Sequence, residues 1–73
     1  MKPAYYAVVI RPNGTIKVLD RRGNALSAYN QANNQIAKGN FPVNSEVTVV
    51  EATTKADAER IAEENRKAGL YAR

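Results

Sequence analysis

The tripeptide Pro12-Asn13-Gly14 constrains the fold more than any other part of the sequence, because it separates two short apolar runs. Residues 4–11 and 15–19 are rich in Val, Ile and Tyr. Two such runs joined by turn residues predict a β-hairpin. A loop of three residues would begin a type I turn at Pro12 and give Gly14 a left-handed conformation.

The hydrophobic pattern chooses the register of this hairpin. A two-residue loop would pair Ile10 with Lys17 and mix charge into both faces. A three-residue loop pairs Ile10 with Ile16 and Val8 with Val18, which produces one apolar face. We therefore predict the three-residue loop. It places Tyr6, Val8, Ile10, Ile16 and Val18 on one face and Tyr5, Ala7, Val9, Arg11, Thr15, Lys17 and Leu19 on the other.

Two helices and a third strand are predicted after the hairpin. Asn24 is the expected N-cap of a helix over about 25–38, and alternating residues predict a strand over about 46–51. A second helix is expected over about 54–68, and the segment Tyr71-Ala72-Arg73 is a candidate last strand. The expected apolar stripes are Ala25, Leu26, Tyr29, Ala32 and Ile36 on the first helix, and Ala58, Ile61, Ala62 and Ala68 on the second.

The predicted order is β-β-α-β-α, with a last β if residues 71–73 form a strand, and it indicates an α+β fold. Crossovers between parallel strands are right-handed. We expect a two-layer sandwich, in which both helices lie on one face of a three- or four-stranded, mainly antiparallel sheet. The other face would be uncovered. A chain of 73 residues suits a single domain covering residues 1–73.

The chain contains no histidine and no cysteine. It therefore lacks the commonest general base, the commonest metal ligand and any thiolate. We expect no catalytic residues, no bound metal and no cofactor, and hence a protein that is not an enzyme. The absence of cysteine also fits a cytoplasmic location. No segment approaches the ~20 apolar residues that span a bilayer, so no membrane partner is expected.

The positive charge is concentrated in the first half of the chain. The net charge is +4, and residues 1–38 hold six of the eleven Lys and Arg residues but only Asp20 among the seven acidic ones. Such an asymmetry indicates an anionic partner surface, either phosphate or carboxylate.

The expected uncovered sheet face would carry Tyr5, Arg11 and Lys17, with Arg21 and Arg22 beyond its edge. Aromatic and cationic side chains on an open sheet suit single-stranded nucleic acid. They also suit a protein interface, where Tyr and Arg act as anchors. Lys and Arg additionally protect ordinary solvated sheets from aggregation.

The predicted outer face of the first helix is rich in amides. Asn and Gln are weaker helix formers than the Glu and Lys of an ordinary solvated face. Amides can read adenine edges in a major groove, or form an uncharged interface with a protein. The candidate partner-binding residues are therefore Tyr5, Arg11, Lys17, Arg21, Arg22, Gln31, Asn34 and Lys38.

The last third of the chain has a recognisable pattern. It comprises the strand residues 47–51, the Ala/Glu helix around 56–62, and Lys67-Ala68-Gly69-Leu70-Tyr71-Ala72. This part is similar to the second half of peptidoglycan-binding sporulation-related repeats, which implies a strand, a helix and a returning strand. The first half departs from that pattern, so peptidoglycan binding is not carried over.

These observations favour a small non-enzymatic binding protein. As an adaptor or inhibitor, it would dock onto a larger protein or nucleoprotein assembly through its basic N-terminal half. The alternative is direct DNA or RNA binding through the basic residues. A homodimer formed through the open sheet face is a third hypothesis. Small size, basic charge and a single domain also suit the short regulatory proteins of bacteriophages.

Overall fold

A computed structural model describes residues 2–69 as a three-stranded antiparallel sheet with two helices. The predicted α+β class and the order ββαβα are confirmed. The candidate last strand, Tyr71–Arg73, lies outside the described residues. Within residues 2–69, neither helix is long and apolar enough to cross a membrane. The elements are β1 (Ala4–Ile10), β2 (Ile16–Arg22), α1 (Ala25–Ala37), β3 (Glu46–Ala52) and α2 (Lys55–Lys67).

The hairpin has the predicted register, with Ile10 opposite Ile16 and Val8 opposite Val18. Gly14 has a φ of 91°, and its N–H donates to the Arg11 carbonyl over 2.9 Å. The left-handed conformation explains why glycine occupies this position.

β1 is the central strand, because the sheet order is β2-β1-β3 and both neighbours are antiparallel to it. β3 pairs with β1 without interruption, from Ile10 opposite Glu46 to Ala4 opposite Ala52. The register between β1 and β2 shifts between Tyr6 and Val8. β2 contains one extra residue at this β-bulge.

The two helices lie on opposite faces of the sheet, so the predicted placement of both on one face is wrong. Ala28 and Ala32 of α1 belong to an apolar cluster with Ala7 and Val9 of β1. The cluster that contains α2 is formed by the alternate residues of β1. It consists of Ala4, Tyr6, Val8, Ile10, Val18, Val50, Ala52, Ala58 and Ala62.

The composition of β1 explains this arrangement. Five consecutive residues, Tyr6 to Ile10, are buried, including Val8 and Val9 at 0% exposure. A strand that is apolar at every position is buried on both faces, whereas a strand with one solvated face alternates apolar and polar residues. The continuous apolar run is the sequence signal for a three-layer arrangement.

Both helices begin with a side-chain cap, and the cap of α1 is the predicted Asn24. The Asn24 side-chain oxygen accepts from the Ser27 N–H over 2.7 Å, and the Thr54 hydroxyl accepts from the Asp57 N–H over 3.1 Å. These bonds satisfy backbone donors that the first turn of a helix leaves unpaired. Gly39, at φ 88°, lies just after α1, where a left-handed glycine commonly ends a helix.

The predicted apolar stripe of α1 is only partly correct. Ala32 is buried and Ile36 half-buried, but Ala25, Leu26 and Tyr29 are exposed, and Ala28 is buried instead. On α2, Ala58 and Ala62 are buried and Ile61 is half-buried, as the stripe predicted, whereas Ala68 is exposed. Each helix thus meets the sheet through a pair of alanines.

Candidate interaction surface

The exposed side of α1 is uncharged and partly apolar. No residue of Ala25–Ala37 is acidic or basic. Leu26 is 67% exposed and Tyr29 is 45% exposed, and exposed amides, including Asn30 and Asn34, surround them on the helix. Depletion of charge around exposed apolar and aromatic side chains is typical of the centre of a protein interface.

Two alanines determine which side of α1 faces outward. Ala28 and Ala32 are four residues apart and fully buried, so they form the line along which the helix contacts the sheet. Leu26 is two residues before Ala28, and at about 100° per residue this places it on the opposite side of the helix. The small alanines allow a close approach, and Leu26 is left in solvent.

A shallow surface groove of about 400 Å³ connects α1 to the end of β2. The bulge in β2 leaves Arg22 opposite Tyr5, on the face that α1 covers. Three of the predicted partner-binding residues, Arg22, Gln31 and Asn34, therefore meet in one groove. Its full lining is Arg22, Asn24, Leu26, Ser27, Asn30, Gln31 and Asn34.

Gln31 lies between this groove and β2. Its Nε2 donates to Asp20 Oδ2 over 3.5 Å, and Asp20 also lies 4.0 Å from the Lys55 ammonium. The Gln31 Oε1 atom is buried and has no hydrogen-bond partner among the described residues. An unpaired buried acceptor is unfavourable, so this side chain contributes less to stability than a fully hydrogen-bonded amide would.

Arg11 and Lys38 lie away from the groove, whereas Lys17 lines a neighbouring pocket with Gln31. Arg11 is at the hairpin end of the sheet, with its guanidinium 5.1 Å from the centroid of the Phe41 ring. Lys38 caps the C-terminal end of α1. Because Arg22 is paired with Tyr5, at the other end of β1, Arg11 and Arg22 are about 20 Å apart at about 3.3 Å per residue.

The predicted uncovered sheet face does not exist, because α1 covers it. Tyr5 and Leu19 pack half-buried against the α1 cluster. Lys17 is exposed on β2, but Arg21 is opposite Tyr6, on the α2 side, where it donates to the Thr53 carbonyl over 3.4 Å. The basic and aromatic residues therefore do not form one continuous surface.

The exposed side of α2 differs from that of α1, because its charged residues pair with one another. Arg60 contacts Glu64 over 3.2 Å, and Arg66 forms an ion pair with Glu63. Hydrogen bonds from Arg66 hold the pKa of the Glu63 carboxyl below its ordinary value and raise the pKa of Arg66. Such pairs are typical of a solvated helix face.

Comparisons with known proteins leave the family open. No protein-family model matches the chain, and no curated protein or solved structure matches it. The similarity of residues 47–72 to sporulation-related repeats is thus not supported by a family match. Function has to be inferred from the surface chemistry of the chain itself.

Proposed function

We propose that this chain is a small non-enzymatic binding protein, an adaptor or inhibitor, that docks onto a larger protein or nucleoprotein assembly through α1 and the adjacent Arg22. The observation that carries the proposal is the uncharged exposed side of α1, with Leu26 at 67% exposure. The lack of cysteine suits a reducing compartment, so we place this encounter in the cytoplasm. The size and basic charge suit a phage-type regulatory protein.

The chemistry of the groove supports a protein partner. Leu26 supplies apolar area, and Arg22 can anchor a carboxylate through two parallel hydrogen bonds. Asn30 and Asn34 can donate and accept hydrogen bonds, and neutral amides cost less to remove from water than charged groups. The matching partner surface is apolar at its centre, with an acidic group at its rim.

Direct binding of DNA or RNA is the second candidate. Arg22 next to the amides Asn30 and Asn34 favours it, since arginine can hold a phosphate while amides contact base edges. The separation of Arg11 and Lys38 from Arg22 counts against a continuous phosphate track.

Capture from a native lysate, with and without nuclease, tests the proposal. The tagged chain should retain a protein at a stoichiometric ratio after nuclease treatment, and Arg22→Gln should reduce the amount retained. Arg60→Gln is the matched control, because Arg60 is an exposed arginine on α2. Recovery of nucleic acid without a stoichiometric protein would contradict the lead function and support the second candidate.

Salt titration with generic DNA and RNA separates the two candidates further. A nucleic-acid-binding chain should show an affinity that falls steeply with salt, with a smaller slope in Arg22→Gln. The lead function predicts no measurable binding of generic nucleic acid at ~50 mM salt.

A further inference from the structure

The two edges of the sheet are protected unequally. The edge formed by β2 carries the bulge and four charged residues, Lys17, Asp20, Arg21 and Arg22. Bulges and charges on an edge strand prevent other strands from pairing with it. β3 has neither a bulge nor a Lys or Pro, and five of its seven residues, Val47, Thr48, Val49, Val50 and Ala52, are uncharged.

The pairing pattern identifies the backbone groups that the β3 edge presents. The Arg11 N–H donates to the Thr15 carbonyl, which makes this pair a hydrogen-bonded one. Hydrogen-bonded and non-hydrogen-bonded pairs alternate along an antiparallel ladder. The even-numbered residues of β1 therefore bond to β3, and Val47, Val49 and Glu51 turn their N–H and C=O groups to the outer edge. No strand within residues 2–69 pairs there.

The flank of α1 above β3 is apolar, whereas the flank above β2 is polar. Gln31 and Gln35 lie against β2. Tyr29 and Ile36, which are seven residues apart, share the opposite flank. Ile36 packs half-buried in the same cluster as Val47 and Val49 of β3. A half-exposed apolar strip thus runs beside the unprotected edge.

We propose that a second copy of this chain pairs with this edge, joining β3 to β3 antiparallel about a two-fold axis through Val49. The result is a closed dimer in which the three described strands of each copy form one continuous six-stranded sheet. This register pairs all seven residues of each strand. It places Glu46 opposite Ala52 and Glu51 opposite Val47, so no like charges face each other. A two-fold contact closes on itself and leaves no further β3 edge for growth.

Geometry and charge both allow this dimer. The two-fold axis is perpendicular to the sheet, so both copies of α1 lie on the same side. Successive strands are about 4.8 Å apart, which separates the two β1 strands by about 14 Å. This exceeds the 8–10 Å between packed helices, so the copies of α1 do not clash. The two β2 strands, with Arg21 and Arg22, are about 24 Å apart, well beyond the ~10 Å Debye length at 0.1 M salt.

The dimer leaves the Arg22 groove free, because that groove lies on the β2 side. The inference therefore does not rest on the proposed partner-binding function. Each assembly would present two such grooves on one side of the sheet, which would increase avidity for a repeated or symmetric partner.

A cysteine cross-link tests the register. The chain has no cysteine of its own. In the proposed dimer the two Val49 Cα atoms are about 5.5 Å apart, within the disulfide range, whereas the two Val47 Cα atoms are about 14 Å apart. Val49→Cys should form a disulfide-linked dimer on mild oxidation at least about tenfold faster than Val47→Cys, its control on the same strand and face. Equal cross-linking at both positions, or none, would overturn the proposal.

Two measurements do not depend on the cysteine variants. Sedimentation equilibrium of the native chain should show a monomer–dimer equilibrium, and amide exchange at Val47 and Val49 should slow as the concentration rises.

Val49→Lys should weaken the dimer by about tenfold or more, since two lysines would meet at the axis. Leu19→Lys, at a half-buried position on the other edge, should leave the dimer intact. A monomer at all concentrations, or dimer loss in Leu19→Lys alone, would contradict the inference.

Discussion

α1 and α2 meet the same sheet in the same way but present different surfaces to solvent. Each has 13 residues, begins at a side-chain cap and packs through two alanines four residues apart. α2 covers its exposed side with paired charges, whereas α1 has no charged residue and exposes Leu26. This difference in exposed chemistry is the basis of the proposal that α1 is the recognition surface and α2 the scaffold.

The largest effects on the free energy of unfolding are expected in β1, because the two helices bury this strand on both faces. Val8 faces α2 and Val9 faces α1, and both are fully buried. Val8→Ala and Val9→Ala should each lower the free energy of unfolding by about 2 kcal/mol, from two lost methylene equivalents and the cavity left behind. Chemical denaturation measures both. If Val9→Ala lowered the free energy of unfolding by less than about 0.5 kcal/mol while Val8→Ala had the expected effect, α1 would not cover this face.

The helix caps test whether the two helices contribute independently. Asn24→Ala and Thr54→Ala should each cost about 1 kcal/mol, because each leaves an unpaired N–H in the first turn. The helices make no contact with each other within the described residues, so the two costs should add to within about 0.5 kcal/mol. A larger discrepancy in the double variant would show that the helices are coupled.

Leu26 tests which side of α1 faces solvent. At 67% exposure, Leu26→Ala should change the free energy of unfolding by no more than about 0.5 kcal/mol. The apolar stripe predicted from sequence would make Leu26 a core residue, for which truncation costs about 2–5 kcal/mol. Thermal or chemical unfolding distinguishes these two outcomes directly.

The smallest expected effect on stability depends on pH and comes from one ion pair on α2. Arg66 lowers the pKa of Glu63 in the folded protein, so this pair stabilises the fold above the ordinary pKa of 4.5. The contribution is lost as the pH falls through the lowered value. Glu63→Gln should therefore lower the melting temperature slightly at pH 7 and leave it nearly unchanged at pH 2. An equal change at both pH values would mean that the ion pair contributes nothing.

Local interactions made parts of this fold predictable. The hairpin register follows from the alternation around Ile10 and Ile16 together with the turn residues, and the caps follow from a hydrogen bond within one helical turn. Placement of the helices is a long-range property. It depends on which neighbours cover Ala7 and Val9, and the three-layer arrangement could have been inferred only from the unbroken apolar run of β1.

The candidate interaction surface was predictable in composition but not in position. The amides Gln31 and Asn34 and the cation Arg22 were identified from residue type, and they line one groove. The helical periodicity places Leu26 on the apolar side of α1, whereas the structure buries Ala28 and exposes Leu26. In the structure Ala28 packs in one cluster with Ala7 and Val9 of β1, and Leu19 packs against the same cluster.

The most direct test of the account is a matched pair of charged substitutions, Leu26→Asp and Ala56→Asp. Each adds an exposed acid at the second residue of a helix, where the helix dipole favours it equally. Binding to the captured partner should fall at least about tenfold in Leu26→Asp and remain unchanged in Ala56→Asp, with both variants folded. Equal binding by the two variants would contradict the assignment of α1 as the recognition surface.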